Sequence, residues 1–139
     1  MKSLLEYIKE VKNDFINGFI ILKPEFLDHT DDWLNMLKDN EWDILDKKKL
    51  ILSEEQAKEL YMMHKGKDFY EDLIKYMTSG ECLCATCYKE CEDPIKEMDT
   101  LKNKVREKWG KDDMKNAMHS SDSLQNALRE SKIVFNDNE

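Results

Sequence analysis

Three histidines and four cysteines are the side chains of this chain best suited to nucleophilic chemistry or metal binding near neutral pH. His29 lies in the polar turn Leu27-Asp28-His29-Thr30, and His64 ends a helical pattern, where a cation suits the C-terminal dipole. His119 sits in Asn116-Ala117-Met118-His119-Ser120-Ser121-Asp122-Ser123, among small polar residues just before a helix begins. That is the positive end of a dipole, where an anion is favoured. A neutral imidazole placed there is a competent nucleophile. Cys82, Cys84, Cys87 and Cys91 follow as C-x-C-x2-C-x3-C. A zinc site draws its thiolates from two separated knuckles, which this spacing lacks. The segment 81–88 reads instead as a strand, with Cys82 and Cys84 on one face and Cys87 on the other. One strand cannot wrap its own sulfurs around an ion, so buried free thiols in a reducing compartment are expected.

These groups need elements to hold them. Residues 1–12 show Leu4, Leu5, Ile8 and Val11 on one helical stripe, expected to pack on the chain's own sheet, with a docking element as the alternative. Residues 15–22 are almost continuously apolar, the pattern of a strand buried on both faces. A helix from about Thr30 presents Trp33, Leu34 and Leu37, and 42–52 reads as a second strand. Ser53 with Gln56 forms a capping box that opens a helix over 54–64. A further helix over 68–78 stops at Ser79-Gly80, before the cysteine strand. Pro94 opens a helix over 94–102. Residues 105–119 read as irregular, and a last helix over 123–130 is capped by Ser121 or Asp122. Ile133-Val134-Phe135 is expected as a short final strand. The class is α+β, a sheet with helices packed on it.

Composition sets outer bounds. A chain of 139 residues has room for one core. A net charge of −8 argues against binding to nucleic acid or an acidic membrane surface. No apolar run approaches the roughly 20 residues of a membrane helix, and the first residues carry acids too early for a signal peptide. The expectation is a soluble acidic domain of the cytoplasm.

The residues 52–61 (Leu-Ser-Glu-Glu-Gln-Ala-Lys-Glu-Leu-Tyr), then His64-Lys65-Gly66-Lys67-Asp68-Phe69-Tyr70, then Tyr76-Met77-Thr78-Ser79-Gly80, resemble nucleoside diphosphate kinase. Ile21-Leu22-Lys23-Pro24-Glu25 looks like that family's first strand and its lysine. Asn116-x-x-His119-x-Ser121-Asp122-Ser123 looks like the signature around its phosphorylated histidine. The likeness runs from about Phe15 to Phe135, and the segment 109–119 is most similar to the divergent ciliary branch. It implies a nucleoside diphosphate kinase-like domain over 15–139 behind a helical extension over 1–14. It also implies a ferredoxin-like sandwich, a four-stranded antiparallel sheet with helices on one face. The implied activity is ping-pong transfer of a γ-phosphate from a nucleoside triphosphate to a diphosphate through phosphohistidine. Magnesium (Mg2+) would ride on the nucleotide phosphates, with no metal site in the protein. Residue by residue, His119 corresponds to the nucleophile, with Ser121 and Glu130 as the pair that orients it. Lys23, Tyr61, Arg106 and Asn116 correspond to the groups around the transferred phosphate and ribose, and Phe69 to the aromatic on which the base stacks.

The chemistry of that set is coherent. Phosphoryl transfer asks mainly for positioning and charge neutralisation. Arg106 offers a planar fork and Lys23 a point charge to a polyanion. Tyr61 and Asn116 are hydrogen-bond donors, and a carboxylate at Glu130 can fix one imidazole tautomer.

Three features depart from the family pattern. Lys102-Asn103-Lys104-Val105 joins the preceding helix to Arg106 almost directly, where the family has a long loop that supports its trimers and supplies a phosphate-binding threonine. Thr100 falls inside the helix and is a poor replacement. The family's helix arginine aligns with Asp99, expected to repel a triphosphate, and an apolar wall of the base site aligns with Asp113. Two readings follow: a kinase with weakened nucleotide binding, and a weak or inactive kinase-like interaction module with partners in a ciliary, axonemal assembly. The short loop implies a dimer or monomer rather than a hexamer.

Overall fold

A computed structural model of the chain describes residues 3–135. The elements run α1 (Leu4–Phe15), β1 (Gly18–Leu22), α2 (Thr30–Asp39), β2 (Asp43–Leu50), α3 (Glu54–Leu60), α4 (Tyr70–Met77), β3 (Cys82–Tyr88), α5 (Pro94–Trp109), β4 (Met118–Ser120) and α6 (Leu124–Phe135). All neighbouring strands pair antiparallel in the order β2-β3-β1-β4. This is the ferredoxin-like βαββαβ arrangement, with α2 and α5 as the two crossovers.

Strand β1 explains why the sheet is central. All five of its residues are buried, and their side chains alternate between two cores. Ile20 and Leu22 meet Trp33 and Leu37 of α2 and Met98, Leu101 and Val105 of α5. Phe19 and Ile21 meet Leu60 of α3, Leu73 and Met77 of α4, and Ala127 and Val134 of α6. Helices therefore cover both faces, not one, because a strand that is apolar on both sides cannot leave either side to water. The cysteines follow the predicted alternation: Cys82 and Cys84 face the α3/α4/α6 side with sulfurs 3.8 Å apart, and Cys87 faces the other. Strand β2 is an edge strand, irregular between Ile44 and Asp46, with Lys47, Lys48 and Lys49 exposed along it.

Several boundaries differ from the pattern in the sequence. The capping box forms as expected, but the helix it opens ends at Leu60 and a separate single 3-10 turn covers Met62–His64. The helix at Pro94 runs on to Trp109, since Leu101 and Val105 continue its buried stripe. Within 105–119, expected as irregular, lie both the end of α5 and the start of β4. The expected strand at Ile133-Val134-Phe135 is the last turn of α6, whose buried residues Ala127, Glu130, Ser131 and Val134 keep helical spacing. His119 lies on β4 rather than in a helix-entry loop. The α1 stripe does not pack on the sheet: Leu4, Leu5, Ile8 and Val11 are all exposed, because both sheet faces are already filled by other helices.

Gly18 sits where β1, β3 and α5 crowd together. A Cβ there would lie 2.7 Å from the Cys87 sulfur and 3.3 Å from the Trp42 ring. Gly18→Ala is expected to cost about 1–3 kcal/mol through overpacking, and Cys87→Ala in the same chain to recover part of that loss. Urea unfolding of both single variants and the double variant measures the coupling, and simple additivity would contradict the packing account.

Candidate active site

The register of β4 on β1 decides where His119 points. His119 is paired with Ile21, and residues paired in this way share a face of the sheet. Ile21 belongs to the core under α3, α4 and α6, so the imidazole emerges on that side. Its Nε2 is 2.7 Å from Oε1 of Glu130, a buried residue of α6. The Ser121 hydroxyl donates to the same oxygen at 2.8 Å. A carboxylate accepts, so Nε2 carries the hydrogen and Nδ1 keeps a lone pair. Arg129 lies 3.5 Å from the other carboxylate oxygen and donates to the Glu59 carbonyl at 2.8 Å. The Tyr61 ring meets the imidazole edge-on, with centroids 5.4 Å apart.

Cations come from two further elements. Lys23 follows β1 directly; its backbone N–H donates to the Ala117 carbonyl and its Nζ to the Met114 carbonyl at 3.3 Å. Burial, with Arg106 and Lys102 adding positive charge nearby, pulls the Lys23 pKa down to about 7. Arg106 stands on α5, in the layer opposite to Tyr61. It reaches round β4, a strand of three residues at the edge of the sheet, and its Nε donates to the Met118 carbonyl at 3.1 Å.

The loop between α5 and β4 closes the ring. Gly110 ends α5; a Cβ there would meet the Arg106 carbonyl oxygen at 2.5 Å, so no larger residue fits this turn. Asp112 then accepts the backbone N–H groups of Met114 and Lys115, which holds its carboxyl below the usual range. That turn carries Asn116, whose Nδ2 donates to the Asp113 carbonyl at 2.8 Å.

His119, Glu130, Lys23, Tyr61, Arg106 and Asn116 line one cavity of about 560 Å³, and Phe69 stands at it too. Ser121 is buried behind Glu130. The structure thus brings together all eight residues singled out in the sequence. Phe69 is half exposed, meets the His64 ring at 5.1 Å and carries the Lys67 ammonium over its ring at 5.8 Å. Asp113 lies on the cavity wall, as the sequence implied, beside Leu73, Met63 and Met114. Thr100 donates to the Lys96 carbonyl within α5 and does not face the cavity.

Asp99, in the sequence an anion set against a triphosphate, does not line the cavity; its carboxylate is 2.9 Å from Lys102 Nζ. Lys102, which the sequence pattern does not single out, lines the cavity. Its signal was the i, i+4 spacing to Arg106, hidden by reading the helix as ending at 102. His64, by its sequence position a helix-end cation, also stands on the cavity wall.

No helix among the described residues is long and apolar enough to cross a membrane. Nor do three or more His, Cys, Asp or Glu side chains gather there in a way that holds a metal ion.

Tyr61 is fully buried beside the imidazole, and burial pushes its phenol well above the usual range. Its hydroxyl has no hydrogen-bond partner among the described residues. An unpaired buried hydroxyl costs about 1–3 kcal/mol. Tyr61→Phe is therefore expected to leave the ligand-free protein as stable or to raise its Tm, measured by differential scanning calorimetry. A fall of several degrees would show that the hydroxyl is already satisfied.

Known proteins with this geometry bear on what it is. A family model described as "Nucleoside diphosphate kinase" matches residues 17–139. The nucleoside diphosphate kinase of Methanococcus maripaludis is 32% identical over 127 residues, covering 84% of this chain and 96% of that protein. "Thioredoxin domain-containing protein 6" of Xenopus laevis is 32% identical over 128 residues, and this chain spans only 20% of that protein's length. The crystal structure of the Aquifex aeolicus nucleoside diphosphate kinase superposes with a TM-score of 0.74 at 28% identity, covering 85% of this chain and 93% of that one. The Halobacterium salinarum nucleoside diphosphate kinase, solved in complex with CDP, superposes with a TM-score of 0.77 over 88% of each chain; at 23% identity it speaks to the fold alone. With a family model spanning all but the N-terminal helix and a relative matched over nearly its whole length, the chain belongs to the nucleoside diphosphate kinase family, a family of phosphotransferases.

Proposed function

We propose that this chain transfers the γ-phosphate of a nucleoside triphosphate to a nucleoside diphosphate by a ping-pong route through His119. The observation that carries the reading is the chain Ser121–Glu130–His119 at a cavity walled by Lys23 and Arg106. In the first half-reaction the Nδ1 lone pair attacks the γ-phosphorus. The N–P bond forms as the bond from phosphorus to the β-phosphate bridging oxygen breaks, and the nucleoside diphosphate leaves with that electron pair. Glu130 goes on accepting the Nε2–H hydrogen bond, so the hydrogen stays on the ring, and it offsets the positive charge that the ring gains. In the second half an oxygen of the incoming diphosphate attacks the same phosphorus, and the N–P bond returns its electrons to Nδ1. Lys23, Arg106 and Asn116 hold the phosphates, Tyr61 faces the reacting ring, and Phe69 stacks the base.

Magnesium fits this arrangement as a passenger of the nucleotide. Among the described residues no group of His, Cys, Asp or Glu side chains is arranged to hold a metal ion, and hard Mg2+ prefers phosphate oxygens and water to the lysines and arginine of the cavity wall. Bound on the phosphates, it supplies charge neutralisation.

Asp113 on the wall of the base site supports weaker nucleotide binding than an apolar residue would allow. The direct helical link from Lys102 to Arg106 supports a monomer or dimer. A second reading, a kinase-like module that binds protein partners in a ciliary assembly, is favoured by one observation, the exposed apolar stripe of α1. In either reading the N-terminal helix is an extension to a domain over 15–139.

Two measurements test the kinase. Incubation with magnesium and γ-labelled ATP is expected to leave acid-labile, base-stable label on the wild type and none on His119→Ala, with added GDP chasing it off. No label at millimolar ATP would sink the proposal. The second concerns Lys23, largely deprotonated above its pKa of about 7 in the ligand-free protein. A bound polyphosphate favours the charged ammonium and raises that pKa, so the complex holds more protons than its separated components above about pH 7. Nucleotide affinity is expected to fall as pH rises through and beyond about 7, with proton uptake on binding. Calorimetry in buffers of different ionisation enthalpy reads the uptake directly, and release of protons would contradict it.

A further inference from the structure

Lys102 is the cavity cation to which the mechanism assigns no part. It stands one helical turn before Arg106 on α5, so the two side chains leave the same face of the helix. It lines the same cavity as Arg106, Lys23 and His119. Its side chain is only 16% exposed, whereas that of its partner Asp99 is 56% exposed. Asp99 therefore holds the ammonium from the solvent side and does not enter the cavity. An ammonium carries three donors, and this ion pair uses one of them. The charge of Lys102 also reaches Lys23, whose pKa it helps to lower.

We propose that Lys102 is a phosphate-binding cation of the nucleotide site and that Asp99 is the residue that positions it. The proposal rests on the kinase reading, and it specifies the ligand: a nucleoside carrying a chain of at least two phosphates. One lysine, fixed by its own helix, would then supply a contact that a separate loop does not provide here. Asp99 becomes a support for the clamp where its charge alone suggested a defect.

The test measures the affinity of magnesium-ADP and of AMP by titration calorimetry for wild type, Lys102→Gln, Lys102→Arg, Asp99→Asn and Lys104→Gln. Lys104 lies exposed on the same helix and controls for net charge. Loss of one charged hydrogen bond predicts ADP binding about ten- to a hundredfold weaker in Lys102→Gln, with a smaller loss for AMP. Lys102→Arg should stay within a few-fold of wild type, and Lys104→Gln should be unchanged. Asp99→Asn should weaken ADP binding by less than Lys102→Gln and add nothing in a Lys102→Gln background, a non-additivity that a purely structural role would not produce. Wild-type binding with Lys102→Gln within twofold of it overturns the assignment of Lys102 alone. An equal effect of Asp99→Asn in both backgrounds overturns the positioning role. Failure of wild type to bind ADP overturns the nucleotide-site reading itself, and with it this proposal.

Discussion

Glu130 is a carboxylate buried to 1% exposure, and much of the arrangement around it follows from the need to satisfy it. Burying an ionised carboxylate without partners costs several kcal/mol. Here one oxygen takes the imidazole N–H of His119 and the hydroxyl of Ser121, and Arg129 stands beside the other. His119 belongs to β4, Ser121 follows that strand directly, and Arg129 is the neighbour of Glu130 on α6. The pairing of β4 with β1 and the docking of α6 across the sheet are thus tied by one polar cluster. The same cluster that removes an electrostatic penalty leaves a single imidazole nitrogen free, so the stabilising and the chemical requirements coincide.

The site depends equally on a short edge. Strand β4 has only three residues and, among the described residues, no neighbour beyond it. Arg106, which stands on a helix packed against the opposite face, can reach round it to the side where the imidazole emerges. A longer strand, or a fifth one beyond it, would wall the cations off from His119. The loop fixed by Gly110 and Asp112 spans this gap and brings Asn116 and the Met114 carbonyl into the same cavity.

Much of this was legible in the residues. The buried run of β1, the capping box at Ser53, the alternation of the cysteines and the eight residues that gather at or behind the cavity were all visible from pattern or resemblance. What escaped had physical causes. Three apolar residues in a row, as at Ile133-Val134-Phe135, fit a helix end as well as a strand, and only the buried stripe from Ala127 decides between them. Strand β4 holds too few residues to show an alternation, and its identity comes from pairing with β1. The end of α5 is rich in charge, which masks the stripe of Met98, Leu101 and Val105 and, with it, the place of Lys102. Charge sign alone also leaves Asp99 incompletely described, because the sequence does not show that its carboxylate is paired with Lys102. The α1 stripe could not be judged without knowing that both faces of the sheet were taken.

The placement of the thiols on the two faces of β3 has a consequence for how opening of the fold could be followed. Cys87 lies under α2 and α5, whereas Cys82 and Cys84 lie under α3, α4 and α6, and all three are fully buried. A reagent reaches the first only when one helical layer lifts and the other two only when the opposite layer does. Burial raises the Cys87 thiol, and hydrogen bonding with Cys82 followed by burial raises that of Cys84, so neither reacts readily in place. The sheet therefore carries an intrinsic reporter on each side, able to distinguish partial detachment of one layer from unfolding of the whole domain.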